Sequence, residues 1–452
     1  VEETSPGVRV FRPYVRERLM GDAPSVADYF RENSDDRHFL VDAGLFGPWL
    51  KQYDEKKYRE EIPKPFTTMK QEAIAKVDPH FDFSLYDHDG DGIVRRDELQ
   101  VNIIFYQDWG WGELRDIPHY VTDGGVTLSG SSMITVYTPD FDNPVDTGIF
   151  AHEMAHATIQ ALDTYEDTFA DPTSPGPFSL MASHHWHPHL DAMNRLYRAA
   201  WFDPQLITAD GYHRVPVVEK QPVVFKLLDP HAHAGEYFLV ENRQQIGYDA
   251  FLPDEGLAIY HIDENVSASG GAYYKEAVEI EPASGLAIPT QYGTYLWDGA
   301  GLKWGAEFTN NTAVINSRWK DGSDSQIGVY AIEESSHNTW AYFDVPGPGI
   351  LVDVHPNEAH TADSALIEIR LVNTGPQKDT FVLTTELPEE WTSFTLNPVT
   401  LNAYEERIVT LTIDPDWSTG SSFFTITWAQ SISDPASRLD ILYRLNRGVI
   451  NS

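Results

Sequence analysis

The sequence predicts an α+β chain whose second half is strand-rich, followed by an antiparallel β-sandwich at the C-terminus. Three observations carry this. Residues 1–80 alternate charged helical stretches with short apolar ones, whereas 215–345 is mostly strand-like, as in Glu236–Asn242 and Gly256–His261. At Asp344–Gly349 the composition shifts to a Pro/Gly hinge. Beyond it, Ala365–Val372, Thr380–Thr385, Arg407–Ile413 and Phe423–Trp428 alternate at period two with turns between, as sandwich strands do. The expected domains are 1–345 and 349–452, within the size prior for a 452-residue chain.

Composition narrows the function classes. Acidic residues outnumber basic ones 69 to 32, a formal charge of −37, which argues against nucleic acid as a partner and suits cation binding. At 41% hydrophobic and 12% aromatic, the chain can bury a sizeable core. No cysteine is present, so disulfides and thiolate metal sites are excluded. No apolar run approaches the roughly 18 residues of a membrane helix. The first residue, Val1, is what removal of a signal peptide and pro-segment would leave, and equally what a cloning choice would leave.

Taken in order, Ser25–Ser34 reads as a capped helix, with Ser25 accepting from the first amides and Asp28 in the box position. Phe39, Val41, Leu45 and Trp49 are expected in the core. Asp87–Glu98 then reads as a twelve-residue calcium loop. Asp87, Asp89 and Asp91 stand at positions 1, 3 and 5, Gly92 at the sharp turn, the Ile93 carbonyl at 7 and Glu98 at 12. Its flanks are not a pair of amphipathic helices, so the expected role is structural. The alternative is a solvated acidic turn. Val101–Tyr106 and Met133–Tyr137 read as strands, with an aromatic, Gly-rich loop from Asp108 to Gly112 between them. A strand just before the next helix is a candidate cleft edge, where a peptide can add as another strand.

The segment 147–161 is expected to be a helix, and it contains His152-Glu153-Met154-Ala155-His156. Residues four apart share a helix face, so both imidazoles can reach one metal ion. Glu153 then lies beside a metal-bound water whose proton a carboxylate can take. A core helix with two histidines four apart by chance is the competing reading. Downstream, Asp171–Phe178 is a rigid loop, and Ser179–His189 holds four histidines in its last six residues. That cluster reads as an exposed polar turn rather than a further metal contact. Leu190–Trp201 has helical spacing. Arg243, Asp249, His261 and Asp263 fit a salt-bridged structural network better than a catalytic one. No internal repeat or low-complexity tract is present.

Together these blocks resemble the immune inhibitor A family of secreted bacterial zinc proteases. The similarity runs over roughly 25–345. It rests on Ser25–Ser34, Phe83–Gly92, the zinc helix, Ser179–Ser183, Glu236–Gln244 with Gly247–Asp249, and Gly256–Asp263. The resemblance implies a zincin-type domain, extracellular location, one catalytic zinc and a protein or peptide substrate, with Met181 as a turn beneath the metal. The sandwich looks like the immunoglobulin-like modules appended to secreted hydrolases and is a candidate for binding a surface or glycan.

In one place the chain departs from the family pattern H-E-x-x-H-x-x-G-x-x-D. Ile159 stands where the family has Gly, and Asp163 comes one residue late. A straight helix would carry Asp163 roughly 10 Å past His156 along the axis, too far to share an ion. The expectation is therefore a helix running at least one residue past Ile159 and breaking around Gln160 to Leu162. Asp163 then returns as third ligand beside His152 and His156, with Glu166, Asp167 or a histidine at 184–189 as alternatives. The expected function is a zinc endopeptidase that also holds calcium. The competing reading is a non-catalytic calcium-binding surface or glycan-binding protein on a protease-like fold.

Overall fold

The computed structural model describes residues 15–47, 64–106, 111–116, 119–128, 132–138, 147–164, 174–183, 187–265, 277–283, 296–310, 316–355, 358–361, 364–385, 391–394, 398–414 and 422–447.

Near the N-terminus, helix Val26–Asn33 starts at Ser25, whose Oγ accepts from the Asp28 amide at 3.0 Å. The reciprocal half of the expected box is absent. Asp28 pairs with Arg31 instead, and the Ser25 amide donates to the Tyr248 hydroxyl at 3.1 Å. Tyr29 and Phe30 from this helix pack with Ile149, Phe150, Met154, Leu180, Met181 and Trp201 in one core. Phe39 and Val41 lie in irregular chain and are 62% and 86% exposed, so two of the expected core residues are on the surface. Leu45 packs against the core as a partly buried neighbour, and Trp49 lies outside the described residues.

Around the acidic loop, Ile93–Val94, Thr127–Leu128 and Tyr120–Val121 make a small three-stranded sheet. A second sheet orders Val101–Tyr106, Ser132–Thr138 and Trp111–Asp116, the first pair parallel and the second antiparallel. Trp111 and Gly112, read from sequence as the end of a loop, thus open a strand, Trp111–Asp116. It takes the edge of the sheet opposite Val101–Tyr106, while the strand preceding the histidine helix, expected at a cleft edge, sits in the middle. The helix Thr147–Ile159 packs against both. Its end comes two residues before the expected 161.

The strand-rich stretch forms two packed sheets. A five-stranded sheet runs from Val278–Ile280 through Gly256–Asp263, Glu236–Arg243 and Phe225–Leu227 to Gln205–Leu206. A four-stranded sheet comprises Ala306–Phe308, Gly328–Ile332, Asn338–Asp344 and Gly211–Pro216. Phe225, Phe238 and Ile259 from the first meet Phe308, Val329 and Phe343 from the second. The opposite face of the first sheet, with Tyr237, Leu239 and Tyr260, packs on Phe178, Ala192 and Leu196. Glu236–Arg243 is therefore buried at every position, which is why its sequence lacks alternation. The expected helix Leu190–Trp201 is reduced mainly to a wide helical turn over Asn194–Arg198.

After residues 345–349 the chain builds a sandwich. One sheet orders Ile350–His355, Ala365–Asn373, Glu406–Ile413 and Thr392–Phe394; the other orders Glu358–Thr361, Arg438–Arg447, Ser422–Ser431, Asp379–Thr385 and Val399–Leu401. The expected antiparallel pattern holds except at one edge, where Glu358–Thr361 pairs parallel to Arg438–Arg447. Inward residues such as Ile367, Ile369, Phe381, Leu401 and Leu411 make the core.

Candidate metal centre

The histidine helix stops because Gln160 adopts a left-handed conformation, φ +55°. The Ala161 amide then donates back to the Ala155 carbonyl at 3.2 Å, and Arg198 Nε donates to the Gln160 carbonyl at 2.7 Å. Next, Asn194 grips Leu162: its Oδ1 accepts from the Leu162 amide at 2.8 Å and its Nδ2 donates to the Leu162 carbonyl at 3.3 Å. The Thr164 amide donates to the Met181 carbonyl at 3.1 Å. Attachments at four residues, Gln160, Ala161, Leu162 and Thr164, thus hold the returning chain.

The return places Asp163 Oδ1 3.2 Å from His152 Nε2 and 3.0 Å from His156 Nε2. One ligand atom from each of the three residues lies within 4.8 Å of the others. The helix does not run past Ile159 as expected; the left-handed turn at Gln160 falls within the expected 160–162, and it brings Asp163 beside both histidines. Among the described residues, no other acid or histidine joins this group. Glu166, Asp167, His184 and His185 lie outside them.

Each ring is oriented from behind. His152 Nδ1 lies 3.1 Å from the Leu180 carbonyl, and His156 Nδ1 lies 2.8 Å from the Ala161 carbonyl. A carbonyl only accepts, so both Nδ1 atoms carry hydrogen, and a neutral ring then aims its Nε2 lone pair at Asp163. Lone pairs facing a carboxylate repel unless a proton or a cation lies between. Burial alone would lower the pKa of His156, but the carboxylates of Asp163 and Glu153 outweigh it and raise the value. Burial would raise Asp163, yet the two imidazoles hold it down at about 2. Asp163 Oδ1 is nevertheless buried without a well-directed hydrogen bond. Two inward ring nitrogens, an orphaned carboxylate oxygen and outward N–H groups fixed by carbonyls make a donor set that fits zinc. Glu153, next along the helix, is buried beside it.

A wider frame supports this group. Ser179 Oγ donates to Asp191 Oδ2 at 2.7 Å, and Asn194 Nδ2 donates to the same oxygen at 2.8 Å. Sequence reading missed Asp191 and Asn194. Their signal was an acid and an amide three apart, Asp191 and Asn194, ahead of two arginines in a stretch of helical apolar spacing. His189, read as part of an exposed turn, is buried; its Nε2 lies 2.9 Å from Glu32 Oε1 and its amide donates to Asp249 at 2.8 Å. Arg243 donates through Nε and Nη2 to both oxygens of Asp249, at 2.6 and 2.8 Å. Arg195 and Arg243 also pair with Glu241. Burial and the Asp249 charge push the carboxyl of the neighbouring Glu219 well above the usual carboxylate range. Arg243 and Asp249 are thus the structural network expected.

In the acidic loop, ligand oxygens of Asp87, Asp89 and Asp91 lie within 4.8 Å of one another, and Asp87 Oδ1 is buried without a hydrogen-bond partner. Glu98 does not join them. Its carboxylate accepts from the His88 amide at 2.7 Å and the Arg95 amide at 3.0 Å. Arg95 places Nη2 2.6 Å from Asp91 Oδ2 and Nη1 3.4 Å from the Ile93 carbonyl. A guanidinium therefore neutralises part of the loop, and three of the five expected ligands, Asp91, Ile93 and Glu98, are turned to other partners.

No family model and no curated protein matches the chain. Among solved structures, it is similar to the ASH/PapD-like domain of human CEP192, at 12% identity and a TM-score of 0.17 over 22% of this chain and 86% of that one. It is also similar to a FixG-related protein from Vibrio parahaemolyticus, at 13% identity and a TM-score of 0.20 over 23% of this chain and 100% of that one. A C. elegans MSP family member, WR4, matches at 10% identity and a TM-score of 0.18, over 22% and 97%. Likenesses this small bear neither on the histidine cluster nor on the acidic loop.

Proposed function

We propose that the chain is a zincin-type zinc endopeptidase that acts on extracellular proteins, in line with its resemblance to the immune inhibitor A family. The observation that carries the reading is the convergence of His152, His156 and Asp163 next to Glu153, with both rings oriented by backbone carbonyls. His152, His156 and Asp163 would hold zinc, which supplies a polarised carbonyl and a water acidic enough to lose a proton near neutrality. Glu153, buried next along the helix, would serve as the base toward the attacking water and return the proton to the leaving amine. Asp191 and Asn194 hold the chain that carries Asp163. The strand Trp111–Asp116, at one edge of its sheet among the described residues, would take an extended peptide as a further strand.

The acidic loop would hold calcium through Asp87, Asp89 and Asp91, once Arg95 gives up Asp91. Glu153→Gln separates catalysis from metal binding. The variant should keep its zinc and lose casein cleavage by about 10²–10⁴-fold. Near-normal cleavage by purified Glu153→Gln would refute the assignment. A wild-type chain that binds zinc but cleaves nothing would favour the non-catalytic reading.

A further inference from the structure

A second group of ligand-type side chains lies on the five-stranded sheet. His261 and Glu279 are direct cross-strand partners, and Glu281 follows two residues on, so all three project from the same face. One ligand atom from each lies within 4.8 Å of the other two. His261 is 3% exposed and Glu281 7%, so a histidine and a carboxylate are both withdrawn from water here.

The imidazole is again oriented from behind. Glu236, on the neighbouring strand, places Oε1 2.8 Å from His261 Nε2. Glu236 is itself fixed by the Lys320 amide, which donates to the same oxygen at 2.6 Å, and by His233 Nδ1 at 3.5 Å. A carboxylate bound to one ring nitrogen fixes the tautomer and raises the basicity of the other. That other nitrogen, Nδ1, lies 3.3 Å from Glu281 Oε1. Two atoms each bound to one tetrahedral zinc at about 2.0–2.2 Å sit about 3.3–3.6 Å apart. The separation fits ligands of one ion.

We propose that His261, Glu279 and Glu281 form a second divalent-metal site, separate from the histidine helix, with Glu236 positioning the imidazole. One imidazole and two carboxylates suit zinc or another first-row divalent ion rather than calcium, whose shell is all oxygen. The ammonium of Lys320 pairs with Glu279 and is the counter-ion a metal would displace. Its side chain is 30% exposed, so it can swing into solvent. Trp319 and Phe238 wall the group on the core side. This site does not depend on the chain being a peptidase.

The competing arrangement is an imidazolium held between Glu236 and Glu281, with Lys320 completing the charge balance. Zinc binding to the full chain distinguishes the two, in excess calcium to occupy the acidic loop. His156→Ala disables the helix centre. In that background about one equivalent of zinc should remain, and adding Glu281→Gln should remove it, while the metal-free melting temperature shows that the variant is folded. Lys320→Met should tighten this zinc about tenfold or more, because the competing ammonium is gone. Cobalt in the same site should give visible absorption that Glu281→Gln abolishes. The proposal is overturned if His156→Ala retains no zinc. It is equally overturned if zinc content is indifferent to Glu281→Gln, or if Lys320→Met leaves zinc affinity unchanged.

Discussion

Asp163 is the residue on which the helix centre turns. His152 and His156 follow from helical spacing alone, but the third position needs a chain reversal that the sequence does not encode with glycine. A left-handed conformation costs an ordinary residue about 1–2 kcal/mol, so Gln160 is held there by what surrounds it. The Arg198 contact to its carbonyl and the Asn194 clamp on Leu162 supply that hold. Asp163→Ala should leave the protein folded, since the loop's backbone attachments remain. Zinc affinity should fall by at least about 100-fold, and activity should vanish at low zinc and recover in part with excess. Equilibrium dialysis against zinc buffers measures this; unchanged affinity would remove Asp163 from the site.

At the scale of elements, legibility tracked how local the signal was. The helix that carries both histidines, the strands of the sandwich and the hinge before it were readable, because periodicity and Pro/Gly punctuation are sequence-local. The edge strand Trp111–Asp116 was not, because its glycine and aromatic residues read as a turn and only pairing with Ser132–Thr138 makes it a strand. The segment after Leu190 lost its regular helix to the demands of Asp191 and Asn194, whose side chains serve the neighbouring turn and loop. Asn194→Ala should therefore weaken zinc by about 10–100-fold while contacting no metal itself, and a zinc affinity equal to wild type would show the clamp to be idle. The acidic loop gave up its five-ligand pattern for a different reason: Arg95 takes oxygens of Asp91 and Ile93 that an ion would otherwise bind, and two backbone amides take the Glu98 carboxylate. Calcium should raise the melting temperature of the wild type, and Asp89→Ala should abolish the rise. Identical melting in calcium and in a calcium-selective chelator would exclude calcium from the loop.

Across the whole molecule, the strand-rich stretch and the sandwich meet at buried acids. Asp344, at the end of its strand, and Asp210 both lie against Gly349 and Thr374, and the Val345 amide donates to Asp210 at 3.0 Å. The hydroxyls of Tyr212 and Tyr342 donate across the same boundary to the carbonyls of Val352 and Ile350. Burial pushes Asp210 up to about 6 and Asp344 well above the usual carboxylate range. A carboxyl group whose pKa is raised by folding stabilises the fold while protonated, below the unfolded value near 3.8, and that contribution is lost as pH rises through about 6. Asp210→Asn should thus gain melting temperature relative to wild type between about pH 4 and 7, with the difference level above that. Parallel profiles across this range would show that Asp210 ionises in the fold as freely as in the unfolded chain.

The left-handed turn at Gln160 also says how far a motif written in letters can be relied on. In the family pattern the turning residue stands three after the second histidine, and the acid three after that. Here the turn and the acid have each moved one place along, and the three-residue step between them is unchanged. A search string demanding glycine at a fixed offset rejects this chain. A rule stated as a dihedral angle, with the acid three residues beyond it, accepts it. Here the one-place shift of the turn is matched by the same shift of the acid, so the carboxylate still reaches both imidazoles.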